Sequence, residues 1–242
     1  MRKEARMETE KLIYKLFGYS REDILEKLAA LGESIEAEVE EKYLDAKITL
    51  TCRGSDAHRM GVMVGNVFYG AIYADEDVSL AKCIIDRLAF YGRSLSVAES
   101  LTGGLVTDRL VSVPGCSEVL IEGLVTYSNA SKAARLGVDP KAISKFGAVS
   151  AEVARQMATG LVKAGADIAV STTGIAGPSG GSEEKPVGLT YIGIADEMKV
   201  TANELLFKGD REEVRNQAAN TALFLLWKRI VKPNDFENMV IE

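Results

Sequence analysis

Four stretches of this chain have residue types and spacing that could carry chemistry. The first is the turn Ala98-Glu99-Ser100-Leu101-Thr102-Gly103-Gly104. The alternating run Ser94–Ala98 before it reads as a strand. After it, Leu105, Val106, Leu110 and Val113 recur at helical spacing. A strand that turns into a helix through Ser and two Gly puts a hydroxyl where helix-start N–H groups converge. Those groups lack partners inside the helix and carry partial positive charge. Such a turn can hold an anion, or steady the oxyanion formed when a hydroxyl attacks a carbonyl. The plain alternative is a strand-to-helix connection with a Ser or Thr cap, and taken alone the turn favours it.

A serine nucleophile needs a base, and composition restricts the choice. The chain holds one histidine, His58. If it lies outside the catalytic region, no Ser-His or Cys-His pair can form there, and two-histidine metal sites are excluded outright. The base must then be Lys, Asp, Glu or Tyr. The second stretch supplies one: Glu122–Asn129 ends a strand in polar residues, including Tyr127 and Asn129, and Lys132 follows at the start of a helix. Like-signed charge at the helix end and partial burial both disfavour the ammonium and push its pKa down. A solvated surface lysine is the ordinary alternative and, for a random Lys, the favoured one.

The third stretch is Ser171–Ser182, which carries Thr173, Gly174, Gly177, Gly180 and Gly181 after the apolar run Ile168-Ala169-Val170. Glycines and hydroxyls at a strand end suit close backbone approach to a phosphate or ribose. The spacing is neither a Walker A nor a GxGxxG pattern, and a plain long turn fits the composition equally well. In the fourth, Arg211 and Arg215 lie four apart on one helix face and could grip a phosphate. Pairing with Asp210, Glu212 or Glu213 on a solvated face is the reading that spacing alone favours.

The elements that must position these residues alternate. The patterning predicts a strand near 95, a helix over 103–113, a strand over 119–127 and helices over 131–136 and 150–164. Strands over 167–173, 187–195 and 199–207 follow, then a long helix over 211–230 ended by Pro233, with a loosely held tail. Three closely spaced strands at the end imply a mixed sheet, and helices cover both its faces. The fold expected is α/β, a three-layer α/β/α sandwich with a mixed sheet, preceded by a small α+β domain. The boundary falls near residue 77, giving domains 1–77 and 78–242.

In the first domain, Lys11–Phe17 reads as a strand, and Ser20 with Asp23 as a helix start before Ile24, Leu25, Leu28 and Leu31. Glu33–Glu41, with Ile35 and Val39 four apart, reads as an exposed acidic helix face serving solubility. Ile48, Leu50 and Cys52 alternate as in a half-buried strand. Residues 60–73 are apolar and glycine-punctuated and resist division. Asp75-Glu76-Asp77 with Ser79 opens a helix running to Gly92.

With 242 residues, 47 % apolar and 26 % charged, the composition is that of an ordinary globular protein. No apolar run reaches the ~20 residues of a membrane span, and the N-terminus lacks a secretory stretch. Cys52, Cys83 and Cys116 are isolated, which argues against a disulfide framework or structural zinc and fits a reducing cytoplasm. The net charge of −6 argues weakly against broad nucleic-acid binding.

AESLTGG at 98–104, VTYSNASK at 125–132, GAVS at 147–150, TGIAGPSGGSEEKPVG at 173–188 and GDREEVR at 209–215 stand in one order. Over roughly residues 78–230 the chain thereby resembles the C-terminal domain of the CinA (competence/damage-inducible) family, also found as stand-alone nicotinamide mononucleotide deamidase. Residues 1–77 resemble, more weakly, the KH-like middle domain of full-length CinA proteins. That middle domain normally follows a molybdopterin-binding-like domain associated with ADP-ribose pyrophosphatase activity. Nothing in the sequence matches that first domain, so its activity is not carried over.

The resemblance implies a cytoplasmic amidohydrolase that converts nicotinamide mononucleotide to nicotinic acid mononucleotide and ammonia, in pyridine nucleotide salvage, with no metal or cofactor. It implies Ser100 as nucleophile, Lys132 as its base and Tyr127 as orienting or relaying group. Backbone N–H groups near Thr102 and Gly103 would form the oxyanion hole. The substrate-binding positions it implies are Thr102, Gly103, Gly104, Asn129, Thr173, Gly174, Gly177, Gly180, Gly181 and either Arg211 or Arg215. Leu101 stands where many relatives carry Cys, a departure at a position without a catalytic role. A homodimer is expected, with the acidic first domain as a dimerisation or packing element.

The alternative is a nucleotide-sensing or nucleic-acid-associated module in which the pocket binds without reacting. KH domains grip nucleic acid through a GXXG loop. Residues 1–77 contain no such tetrad, since Gly61 and Gly65 are one residue too far apart. They also carry 11 Lys and Arg against 16 Asp and Glu, a net of −5. The same machinery acting on another amide is a third possibility.

Overall fold

The computed structural model describes residues 9–31, 35–53 and 56–231. They divide into two compact units, one of the described residues up to Leu80 and one over Ala81–Ile230.

The first unit runs β1 (Thr9–Phe17), α1 (Arg21–Ala29), β2 (Glu36–Lys42), β3 (Asp45–Arg53), α2 (Ala57–Val67) and β4 (Ile72–Ala74). Its sheet has the order β2-β3-β1-β4, and the three neighbouring pairs are antiparallel. Strand β3 thus lies between β1 and β2, the split β-α-β arrangement. Ser20 and Asp23 form the expected capping box on α1: each side chain accepts from the other's backbone N–H. Leu16, Ile48 and Leu50 from the sheet meet Ile24, Leu28, Val64 and Phe68 in one core.

Glu36–Lys42 is a strand, not the helix expected over 33–41; Glu33 itself lies outside the described residues. It pairs with β3 from Glu36↔Thr51 to Lys42↔Asp45. A separation of four satisfies a strand's period of two as well as a helical turn, so Ile35 and Val39 could not distinguish the two. Residues 60–73 divide between α2, a turn and β4. The acids at 75–77 precede the next helix instead of forming its first turn, and Asp77 pairs with Lys47 at 3.2 Å.

The second unit runs α3 (Leu80–Phe90), β5 (Leu95–Glu99), α4 (Leu105–Val111), a 3₁₀ turn (Cys116–Glu118), β6 (Leu120–Val125), α5 (Asn129–Leu136), α6 (Pro140–Phe146) and α7 (Ala151–Lys163). It continues β7 (Ile168–Gly174), β8 (Leu189–Asp196), β9 (Val200–Leu206) and α8 (Arg211–Ile230). The sheet order is β6-β5-β7-β8-β9, with β6, β5 and β7 parallel and β8 and β9 antiparallel. The mixed sheet is as expected, with α7 against β5, β7, β8 and β9, and with α4 on β5 and α8 on β7 and β8, packed against each other. A short helix, α6, was not foreseen; Asp139 caps it and Pro140 opens it. Pro233 and the tail lie outside the described residues. No helix among the described residues is long and apolar enough to cross a membrane.

This topology places the site. From β5 the chain crosses to β6 on one side, then returns past β5 to β7 on the other. Between such diverging connections a crevice opens outside the carboxyl ends of the strands. Ser100, Thr126–Tyr127 and Thr173–Gly174 lie at those ends.

Candidate active site

All five residues of β5 are buried between β6 and β7, so the strand delivers the next residues to a fixed place. Ser100 donates its N–H to the Thr172 carbonyl at 3.0 Å. The preceding Glu99 is wholly buried, and its carboxylate folds forward onto the start of α4. One oxygen accepts from the N–H groups of Gly104 (2.9 Å) and Val106 (3.1 Å). The other accepts from the Thr107 N–H (2.9 Å) and hydroxyl (2.7 Å). The anion at this helix start is therefore internal to the chain. Its orphan N–H groups, Gly104's among them, are already met.

The donors left over lie earlier in the turn. Among the described residues, none accepts from the N–H groups of Leu101, Thr102 or Gly103. The opposite side of the turn is held by Arg215, whose Nε donates to the Leu101 carbonyl at 3.0 Å and Nη2 to the Thr102 carbonyl at 2.8 Å. Thr102 and Thr172 share a hydroxyl–hydroxyl bond of 2.7 Å beneath it. A carboxylate collecting donors on one flank and a guanidinium filling acceptors on the other fix the turn's conformation.

Lys132 comes from α5, which Ser128 caps by accepting from the Ser131 N–H at 3.1 Å. The lysine is 1 % exposed. Its Nζ lies 3.0 Å from Ser100 Oγ, 2.8 Å from the Thr126 carbonyl and 3.2 Å from the Tyr127 carbonyl. Burial pushes its pKa down from 10.5 to about 8. The two carbonyls accept two N–H protons, so a neutral amine directs its lone pair at the Ser100 hydroxyl. That arrangement can abstract the hydroxyl's proton as oxygen attacks an electrophile.

Ser100 and Lys132 open into a cavity of about 220 Å³ walled by Tyr127, Ala148, Val149, Thr173, Gly174 and Arg211 among others. A larger groove of about 780 Å³ shares Ala176 and Arg211 with it and is also lined by Gly177, Asp210, Glu212, Arg215 and Asn216. Arg211 donates to the Gly177 carbonyl (2.9 Å) and the Tyr127 hydroxyl (3.4 Å). Tyr127 is 62 % exposed. Its backbone carbonyl meets Lys132, whereas its hydroxyl turns to Arg211. The structure also separates the two arginines: Arg211 lines both spaces, and Arg215 braces the Ser100 turn.

Asn129, Gly180, Gly181, Thr102, Gly103 and Gly104 line neither space; the Thr102 and Gly103 N–H groups remain open to an acceptor, whereas Gly104's is held by Glu99. Glu99 and the wall residues Ala148 and Val149 were assigned no role from sequence. The signal was present, since all three lie inside the ordered motifs, Glu99 in AESLTGG and Ala148 and Val149 in GAVS. The second unit contains no histidine, because His58 lies on α2. Among the described residues no group of three or more His, Cys, Asp and Glu could hold a metal ion.

Residues 77–230 match the family described as the CinA C-terminal domain. A putative competence-damage inducible protein of Clostridium beijerinckii is 48 % identical over 162 residues, covering 66 % of this chain and 40 % of that protein. One from Caldicellulosiruptor saccharolyticus is 40 % identical over 198 residues, 81 % of this chain and 47 % of the relative. The chain thus spans less than half the length of these curated relatives. The crystal structure of the competence/damage inducible protein CihA from Agrobacterium tumefaciens superposes with a TM-score of 0.60 at 42 % identity. That match covers 61 % of this chain and 91 % of the other. The fold, the ordered motifs and these matches together make the chain a member of the CinA family, whose C-terminal domain it carries at residues 77–230.

Proposed function

We propose that the Ser100 site hydrolyses a carboxamide, and that the substrate is nicotinamide mononucleotide, giving nicotinic acid mononucleotide and ammonia. The observation that carries the reading is the buried Lys132 amine 3.0 Å from Ser100 Oγ, with two carbonyls to hold its remaining protons. Lys132 takes the hydroxyl proton as Oγ bonds to the amide carbon. The carbonyl oxygen becomes an oxyanion beside the free N–H groups of the turn Leu101–Gly103. An oxyanion donor of this kind contributes roughly 3–4 kcal/mol to the barrier drop. Lys132 then passes the proton to the amide nitrogen, and the C–N bond breaks to release ammonia. Water, deprotonated by the same amine, attacks the acyl-serine to release the carboxylate and restore the hydroxyl.

Arg211 stands where the smaller cavity meets the larger groove, a place suited to the charged part of a nucleotide whose ring occupies the smaller space. Tyr127, hydrogen-bonded to Arg211, orients that anchor. Ammonia release from nicotinamide mononucleotide tests the reading. It should be lost in Ser100→Ala and in Lys132→Ala, with both variants folded. Undiminished turnover by Ser100→Ala would rule the mechanism out. Turnover of other carboxamides but not of the nucleotide would leave the chemistry standing and remove the substrate.

A further inference from the structure

Four consecutive carbonyls in the link between α6 and α7 each accept from a side chain. Lys185 Nζ donates to Phe146 O at 2.6 Å and to Val149 O at 2.7 Å. Ser150 Oγ donates to Gly147 O at 2.9 Å, and Thr173 Oγ1 to Ala148 O at 2.9 Å. The link has no strand partner, so these bonds, with the Gly147 N–H donated to the Ile143 carbonyl at 2.9 Å, fix its path. It matters because Ala148 and Val149 wall the Ser100 cavity.

The ammonium reaches this place from the glycine-rich loop between β7 and β8. Ser182 holds Lys185 from both sides, donating its N–H to the Lys185 carbonyl and accepting the Lys185 N–H at its hydroxyl. The link is shaped to receive it: Gly147 has φ +78°, and a Cβ there would lie 2.8 Å from Nζ. The bonds that orient Ser100 and Lys132 come from Thr172, Glu99, Arg215, Thr126 and Tyr127, and none involves Lys185.

From this geometry we infer that Lys185 is a positioning residue. It latches the glycine-rich loop to the Phe146–Val149 link and so sets the wall against which substrate binds, leaving the Ser100–Lys132 pair untouched. The effect on substrate rests on the amidase reading above; the latch does not.

Two measurements on the full chain separate them. Hydrogen exchange at the Gly147 and Ser182 amides, which donate to the Ile143 and Lys185 carbonyls on the two sides of the latch, should run at least tenfold faster in Lys185→Met and stay within threefold of the parent in Lys185→Arg, which keeps donors for both carbonyls. With nicotinamide mononucleotide, Lys185→Met should raise KM at least tenfold with kcat within threefold, and Lys185→Arg should recover most of the loss. Should Lys185→Met not fold, Lys185→Gln, whose amide is uncharged and one bond too short to reach both carbonyls, carries the same comparisons. Unchanged exchange at Gly147 and Ser182 would overturn the latch. Altered exchange with KM within twofold, or kcat falling in step with KM, would overturn its role as a binding wall. If the parent chain releases no ammonia from the nucleotide, the substrate reading fails while the exchange result still decides the latch.

Discussion

Among single residues, the decisive question is which protonation state of Lys132 predominates. Its pKa near 8 comes from burial. The neutral amine is the form that can act as a base, so kcat/KM should rise about tenfold between pH 6 and 7 and flatten above about 8. An unshifted lysine would keep the profile rising past pH 10, and that outcome would remove Lys132 as the base. The same shift bears on stability with a definite sign. Between about 8 and 10.5 the unfolded chain binds the proton that the folded chain has released, so stability should increase with pH across that window. Below it, burying the charge costs roughly 3 kcal/mol. Lys132→Arg keeps a cation that cannot deprotonate and should lower kcat/KM at least a hundredfold, a ratio the ammonia assay reads directly. The existence of this pair was legible in the sequence as a serine turn, a lysine at a helix start and the absence of histidine nearby. The role of Glu99 was not, because nothing in the adjacent residues shows that its carboxylate turns forward to take four bonds from Gly104, Val106 and Thr107 at the start of α4.

At the level of elements, legibility followed local consistency. The alternation into β5 and the cap of α1 are written in adjacent residues, and α8 runs over 211–230 as its pattern indicates, whereas α5 begins at Asn129, two residues before the expected 131. Strand β2 departs from the expected helix because Ile35 and Val39 alone serve two periods, and only Ala37 between them, a small side chain, marks the alternation. What stabilises it is remote: the pairing with β3, and Lys47 reaching Glu40 at 2.8 Å across the pair. The hairpin joining them turns on Tyr43 (φ 55°) and Leu44 (φ 70°), a left-handed pair for which Asn-Gly is suited. Replacing the two by Asn and Gly should therefore stabilise the chain, by about 1–2 kcal/mol in chemical denaturation. A close helix crossing was equally invisible. A Cβ at Gly160 on α7 would lie 2.1 Å from the Leu136 carbonyl at the end of α5. Gly160→Ala should push α5 away, at a cost of about 1–3 kcal/mol. Since α5 carries Lys132, activity should fall more than the loss of folded protein explains, as a comparison of activity with folded fraction would show.

The molecule as a whole raises the question of what the first unit is for. Every side chain named around Ser100 lies between residues 99 and 216, within the second unit. The Agrobacterium protein is covered over 91 % of its length by 61 % of this chain, so a comparable domain exists there with little else attached. A fragment of residues 77–231 should accordingly fold and release ammonia from nicotinamide mononucleotide with kcat/KM within threefold of the full chain. The described residues of the first unit do not carry the marks expected of a nucleic-acid binder. Gly61 and Gly65 lie inside α2 and not in a loop, the net charge over 1–77 is −5, and Glu36, Glu38 and Glu40 are all exposed along β2. A net acidic charge and a row of carboxylates of this kind oppose phosphate neutralisation, which supplies most non-specific affinity. The full chain should give no salt-sensitive mobility shift with single-stranded DNA or RNA. A shift that disappears on truncation to 77–231 would assign that binding to the first unit and restore the nucleic-acid reading. Loss of ammonia release on the same truncation would instead make the first unit part of the enzyme.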